Sequence, residues 1–186
     1  MAAKFEKVSR YENENLIMPE RKTAGAAGYD IAAAETVVIE PYQNIMTRLH
    51  HAQLAYGAEK GLTLDSMASL TKNIEAKPTL IPTGVKCRLD EGTYLELSVR
   101  SSCPLKYWLI LANGVGIIDS DYYNNESNEG ELFFQVINLS PTPLLIQKGE
   151  IIGQGIVKPY LTTEDDCAMT LRRGGFGSTT QTPGAQ

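Results

Sequence analysis

A carboxylate placed directly after an apolar strand-like segment is the first group in this 186-residue chain with the means to do chemistry. In Ala112-Asn113-Gly114-Val115-Gly116-Ile117-Ile118-Asp119-Ser120-Asp121-Tyr122-Tyr123, Asp119 can take a proton from water. Gly114 and Gly116 leave room for a flat ligand to approach the backbone, and Tyr122 offers a ring to pack against a sugar or base. The plainer reading of Asp119 is a turn residue. A calcium loop is not written here: Asp119 and Asp121 supply a D-x-D start, but Tyr123 stands where the next oxygen ligand belongs and Gly130 where the bidentate glutamate belongs.

Three further segments carry polar groups suited to phosphate oxygens. Arg100-Ser101-Ser102 closes an alternating strand with a guanidinium fork and two hydroxyls; its plainer reading is a serine-rich turn before Pro104. Gln154 is one carboxamide inside the apolar strand around Gly149 to Gln154, and Ala24-Gly25-Ala26-Ala27-Gly28-Tyr29-Asp30 leads through small residues to a single acid. The tail from Arg172 to Gln186, with Arg173-Gly174-Gly175-Phe176-Gly177-Ser178-Thr179, is too poor in apolar residues to order itself and predicts a flexible arm. Such an arm has a second reading, in which backbone N–H groups, an arginine and the flat face of Phe176 close over an anion.

The elements that must position these groups are mostly strands. Short alternating or β-branched segments recur at Thr36 to Ile39, Tyr94 to Val99, Leu109 to Leu111, Val115 to Ile118, Leu132 to Ile137, Leu144 to Ile146 and Ile151 to Val157, separated by turn residues. This spacing predicts an antiparallel sandwich, jelly roll or barrel. Residues 43 to 78 lack strand character and predict an insertion holding one short helix, Asp65 to Asn73. Sixteen glycines and nine prolines exclude a helical bundle. The size and the 42% hydrophobic content fit one domain with a real core.

Charge and cysteine usage narrow the partners. The formal charge of −5 disfavours a face that tracks a nucleic-acid polymer, so any bound phosphate must be held by a few local groups. Three scattered cysteines and the adjacent pair His50-His51 write neither a disulfide framework nor a zinc site. With no apolar signal core at the start and no run long enough to span a bilayer, a cytoplasmic protein with no membrane association is expected, and the two N-x-S matches are discounted as glycosylation sites.

Each of these motifs is weak alone, but their joint order is specific. Ala27-Gly28-Tyr29-Asp30-Ile31, Arg100-Ser101-Ser102, Gly116-Ile117-Ile118-Asp119-Ser120-Asp121-Tyr122, Gly149 to Gln154, and Arg172 with Gly174-Gly175-Phe176-Gly177-Ser178-Thr179 resemble the five ordered motifs of the trimeric dUTPases. The resemblance spans residues 24 to 179, and the insertion and the Tyr-Tyr-Asn-Asn segment look like the enzymes of Gram-positive bacteria and their phages. It implies an all-β jelly-roll or β-clip-like subunit (residues 1–171, with the insertion), a C-terminal arm (172–186) and a homotrimer with shared active sites.

The function so implied is hydrolysis of dUTP to dUMP and pyrophosphate, which keeps uracil out of DNA and supplies dUMP for dTMP synthesis. Asp119 would activate the water that attacks the α-phosphorus, and Tyr122 would exclude a 2′-hydroxyl. Asn113, Gly116, Ile118 and the hairpin after Tyr122 would bind the nucleoside. Arg100, Ser101, Ser102 and Gln154 would hold phosphates, with Gln154 counted in the catalytic set. Arg172, Phe176, Gly177 and Ser178 would arrive as the arm of another subunit, and Asp30 would place Mg²⁺ through water.

The chain departs from the family pattern at several points. Seven residues separate Tyr122 from Gly130 where many members have one, Val99 stands where a proline often precedes Arg-Ser, Gly153 replaces a usual alanine, and Thr180 replaces a glycine. Two rival readings differ in class. A dCTP deaminase of the same fold group needs a glutamate where Gln135 stands, and an amide cannot take that proton. A nucleotide-sensing regulatory protein would use the 43–78 segment to dock a protein partner.

Overall fold

The segment Thr93–Val99 shows how the sequence builds this domain: Thr93, Leu95 and Leu97 are buried, while Tyr94, Glu96 and Ser98 between them are half-exposed. Strand pleating sends successive side chains to opposite faces, so a period of two in hydrophobicity becomes one dry face. The computed structural model describes residues 3–57 and 61–168. Its strands are β1 (Ala3–Lys7), β2 (Tyr29–Ala32), β3 (Val37–Ile39), β4 (Thr79–Pro82), β5 (Val85–Leu89), β6 (Thr93–Val99), β7 (Leu109–Leu111), β8 (Gly116–Asp119), β9 (Phe133–Asn138), β10 (Leu144–Ile146) and β11 (Ile151–Pro159).

All the strand pairings are antiparallel. The largest sheet runs β2-β11-β6-β8, a second runs β4-β9-β7, and two pairs, β1-β5 and β10-β3, complete the set. The inward residues of these sheets, among them Ile31, Ile81, Leu95, Leu97, Phe134 and Val136, form one dry core. Sequence patterning located the seven segments from β3 to β11 that it named, to within two residues at each end. It did not find β1, β2, β4 and β5, whose charged, small or Pro-flanked residues carry no clean alternation.

The inserted segment departs from expectation. The helix expected at 65–73 is present as α2 (Leu64–Asn73), but a longer helix, α1 (Tyr42–Ala55), precedes it. Thr63 caps α2 by accepting the Ser66 N–H at 3.2 Å, with Asp65 in the first turn and Lys72 in the last, each favourable to the helix dipole. No such side-chain cap opens α1 and only Leu49 of its residues is buried, although Tyr42, Ile45, Met46, Leu49 and Ala52 follow a helical spacing that the sequence reading did not use. A third helix, α3 (Ser102–Tyr107), replaces the expected turn; Pro104 sits in its first turn, where a missing N–H is tolerated. Among the described residues no helix is long and apolar enough to cross a membrane.

Candidate active site

Asp119 is positioned by sheet pairing. Strand β8 runs beside β6 with Gly116 opposite Leu97, Ile118 opposite Leu95 and Asp119 opposite Tyr94. Asp119 ends the strand in extended conformation and is followed by a single 3-10 turn, Ser120–Tyr122, which swings Tyr122 back toward the sheet. A cleft of about 180 Å³ opens there, and Asn113, Gly116, Ile118, Asp119 and Tyr122 all line it, together with Phe133 and Gln135 of β9. Five residues singled out from sequence therefore converge. Gly116 has a packing reason for its smallness besides ligand access: a Cβ there would lie 3.1 Å from the Leu97 Cβ.

The lengthened loop after Tyr122 is a structured cap. The Asn125 side chain, 7% exposed, accepts the Ser127 N–H at 3.0 Å and the Ser127 hydroxyl at 2.6 Å, and its own amide donates to the Tyr122 carbonyl at 2.9 Å. Asn128 donates from Nδ2 to the Tyr122 hydroxyl at 2.6 Å, and that hydroxyl donates to the Glu131 carbonyl at 3.1 Å. Gly130 closes the loop at φ +80°, where a Cβ would stand 2.5 Å from the Tyr122 carbonyl oxygen. Sequence reasoning gave Asn125, Asn128 and Gly130 no site role. The signal was present in the spacing Asn125, Asn128, Gly130, since asparagine and glycine are the residues that close tight polar loops.

The phosphate-type donors lie elsewhere in the chain. Arg100 and Ser102 line a second cavity of about 420 Å³ with Cys103, Tyr107, Glu150 and Ile152, and Ser101 is exposed just before α3. The Arg100 N–H is held by the Ile152 carbonyl at 3.2 Å, which fixes the end of β6 against β11. Burial pushes the Cys103 thiol in that wall above its ordinary value. None of these residues borders the Asp119 cleft. Gln154 and Asp30 occupy a third position on the sheet, directly opposite one another on β11 and β2, with Ser98 of β6 opposite Gln154 on the other side. The Gln154 amide donates to the Ser98 hydroxyl at 3.4 Å.

Asp30, Gln154 and Ser98 present only oxygen as ligand atoms on one face of the sheet, the donor type that suits Mg²⁺ and not a soft metal. Among the described residues no group of three or more His, Cys, Asp or Glu side chains gathers. A single carboxylate fits a magnesium ion that keeps most of its waters and takes its remaining ligands from substrate phosphates. The arm residues Arg172, Phe176, Gly177 and Ser178 lie outside the described residues.

The fold and this cleft together define an antiparallel β domain with an acid and an aromatic ring at the end of one strand, and proteins named as dUTPases resemble it in sequence and in fold. The dUTPase family model matches residues 47–180. A deoxyuridine 5'-triphosphate nucleotidohydrolase of Lactococcus lactis is 37% identical over 94% of this chain and 95% of its own length. The crystal structure of a Streptococcus mutans dUTPase superposes with a TM-score of 0.64 at 35% identity, covering 86% of this chain and 98% of that one. The dUTPase from phage phi11 of S. aureus shares the fold at 21% identity, with a TM-score of 0.60 over 92% of this chain and 98% of that chain. A mutant of that phage enzyme (TM-score 0.58 over 91% and 98% of the chains, 21% identity) is described as showing the coordination of a structural Mg(II) ion.

The chain belongs to the dUTPase family.

Proposed function

We infer that this protein is a dUTP diphosphatase that hydrolyses dUTP to dUMP and pyrophosphate. The observation that carries the reading is the convergence of Asp119, Tyr122 and Asn113 on one small cleft in a chain of this family. In this reading Asp119 orients a water and takes its proton as the oxygen attacks the α-phosphorus. Tyr122 packs against the deoxyribose and leaves no space for a 2′-hydroxyl, while Asn113, Gly116, Ile118 and the loop backbone hold the uracil nucleoside. A base-reading edge rejects cytosine by leaving its polar groups unpaired.

Arg100, Ser101, Ser102 and Gln154 bind the phosphates, and Asp30 helps hold Mg²⁺ through water. When bound, Mg²⁺ neutralises charge on the phosphate oxygens. Phosphoryl transfer asks chiefly for position and charge neutralisation, so no covalent nucleophile is required. Because Arg100 and Ser102 border a different cavity from Asp119, one subunit offers the nucleoside half and the phosphate half on separate surfaces. That separation supports a homotrimer in which sites form between subunits, with Arg172, Phe176, Gly177 and Ser178 of the arm (172–186) closing over them. A cytoplasmic setting, where thiols such as Cys87, Cys103 and Cys167 stay reduced, is part of this reading.

Pyrophosphate release from dUTP, dCTP, dTTP and UTP in the presence of Mg²⁺ tests this directly. Rapid release from dUTP alone is expected; equal turnover of UTP overturns the Tyr122 role, and ammonia release from dCTP overturns the diphosphatase reading. A truncation after Leu171 is expected to lose most activity while keeping its melting temperature. The inserted helices expose Leu54, Tyr56 and Leu64 strongly, which favours a second role for the 43–78 segment as a surface for a regulatory protein partner. Serine at those three positions is then expected to leave dUTP turnover unchanged.

A further inference from the structure

We propose that Asn128, in the lengthened loop, is a positioning residue for sugar discrimination, acting through Tyr122; the inference rests on the reading of Tyr122 as the residue that meets the deoxyribose. A ring can exclude one hydroxyl only if it cannot swing aside, so its far end must be held as firmly as its backbone. Both ends of Tyr122 are held by the same short loop. At the backbone end, Asn125 donates to the Tyr122 carbonyl from its main-chain N–H at 3.3 Å and from Nδ2 at 2.9 Å. At the phenol end, Asn128 Nδ2 donates to the hydroxyl at 2.6 Å while the hydroxyl donates to the Glu131 carbonyl at 3.1 Å.

Asn128 is fixed in turn. Its Oδ1 accepts the Asn125 Nδ2 donor at 2.7 Å and the Gly130 N–H at 3.1 Å, so the carboxamide is oriented by two donors and only its amide end is left to reach the phenol. The loop is moored to the body of the domain by Glu129, which accepts from the Ser9 hydroxyl at 2.8 Å, and by Lys86, which donates to Asn124 at 2.5 Å. Tyr122 is only 7% exposed yet lines the cleft beside Asp119, and its phenol end is clamped. Hydrogen bonds that hold a contact group from behind keep it within the small tolerance that discrimination requires.

The test compares kcat/KM for dUTP and for UTP in wild type, Asn128→Ala, Tyr122→Phe and the double variant, with melting temperatures alongside. The dUTP-to-UTP ratio is expected to fall about tenfold in each single variant, the usual size of discrimination carried by one close steric contact. The double variant is expected to fall no further, because both changes break the same clamp. An unchanged ratio in Asn128→Ala with a lowered melting temperature overturns the proposal and leaves Asn128 a loop-stabilising residue; additive losses overturn it as well. If Asn128→Ala fails to fold, Tyr122→Phe removes the hydroxyl that Asn128 holds and leaves the two hydrogen bonds Asn128 accepts in place, and an unchanged ratio there overturns the proposal. A wild type that accepts UTP as readily as dUTP overturns the Tyr122 reading itself, whereas a discriminating wild type with an unaltered variant overturns this inference alone.

Discussion

Gly28 and Gln154 share one space: a Cβ built on Gly28 would stand 2.4 Å from Gln154 Oε1 and 3.0 Å from its Cδ, so the glycine exists in outline as the bed of the carboxamide. The severe clash is with the end of a flexible side chain, and the Gln154 Cβ at 3.2 Å need give only a few tenths of an ångström. Gly28→Ala is therefore expected to leave the melting temperature within a few degrees and to push the Gln154 amide away from Ser98. Activity is expected to fall by about 10- to 100-fold in kcat/KM, on the scale of a displaced positioning group. Steady-state kinetics beside a thermal melt checks both halves.

Gly153 makes the opposite case one residue away. A Cβ there would lie 2.1 Å from Phe134 Cε1 and 2.6 Å from the Ser98 carbonyl oxygen, a buried ring and a backbone atom in the β11–β6 ladder. Neither can move cheaply, which explains why this chain carries glycine where alanine is usual in the family pattern. Gly153→Ala is expected to destabilise the fold by about 1–3 kcal/mol, read by denaturant titration. Pairing it with Phe134→Leu is expected to recover part of the loss.

Asp119→Asn keeps the size and hydrogen-bonding reach of the side chain and removes its ability to take a proton. The expected result is a kcat lower by about a thousandfold with nucleotide affinity retained, measured by turnover and by calorimetric titration with a non-hydrolysable dUTP analogue. Undiminished turnover removes Asp119 from the base role.

Glu129 supplies a prediction about acid. Donation from the Ser9 hydroxyl and N–H, with Lys86 beside it, holds the Glu129 carboxyl below the ordinary value of 4.5. A carboxyl depressed in the folded state contributes stability at pH above its unfolded value, and that contribution is lost as pH falls through the folded value. Wild type is thus expected to melt higher than Glu129→Gln at neutral pH. The gap is expected to close progressively below about pH 4.5. A gap independent of pH would mean that the charge is not what Ser9 recognises.

Much of the site was legible in the sequence because its groups sit on strands whose pattern is local. Period-two alternation located β6 and β11, glycine and aspartate marked the end of β8, and the order of weak motifs along the chain named the family. Asp119, Tyr122, Asn113, Gly116 and Ile118 converge because they are neighbours in sequence on one strand and its flanking turns. Helix α1 was missed although Tyr42, Ile45, Met46, Leu49 and Ala52 carry a helical spacing, because no side-chain cap marks its start and its mixed polar residues blur that spacing.

What the sequence by itself determined, then, was the β class of the fold and the family, and it nominated candidate site residues, since all of these follow from residue type and short-range spacing. Tertiary structure alone decided how those residues are grouped. Strand register sets Gln154 between Asp30 and Ser98, residues dozens of positions apart, and chain reversal puts Arg100 and Ser102 on a cavity apart from Asp119. It also decided which small residues are structural, because the Phe134 ring against Gly153 and the Gln154 carboxamide against Gly28 are contacts between distant segments. Such contacts arise only when antiparallel strands bring their side chains face to face at a register set by the whole buried core.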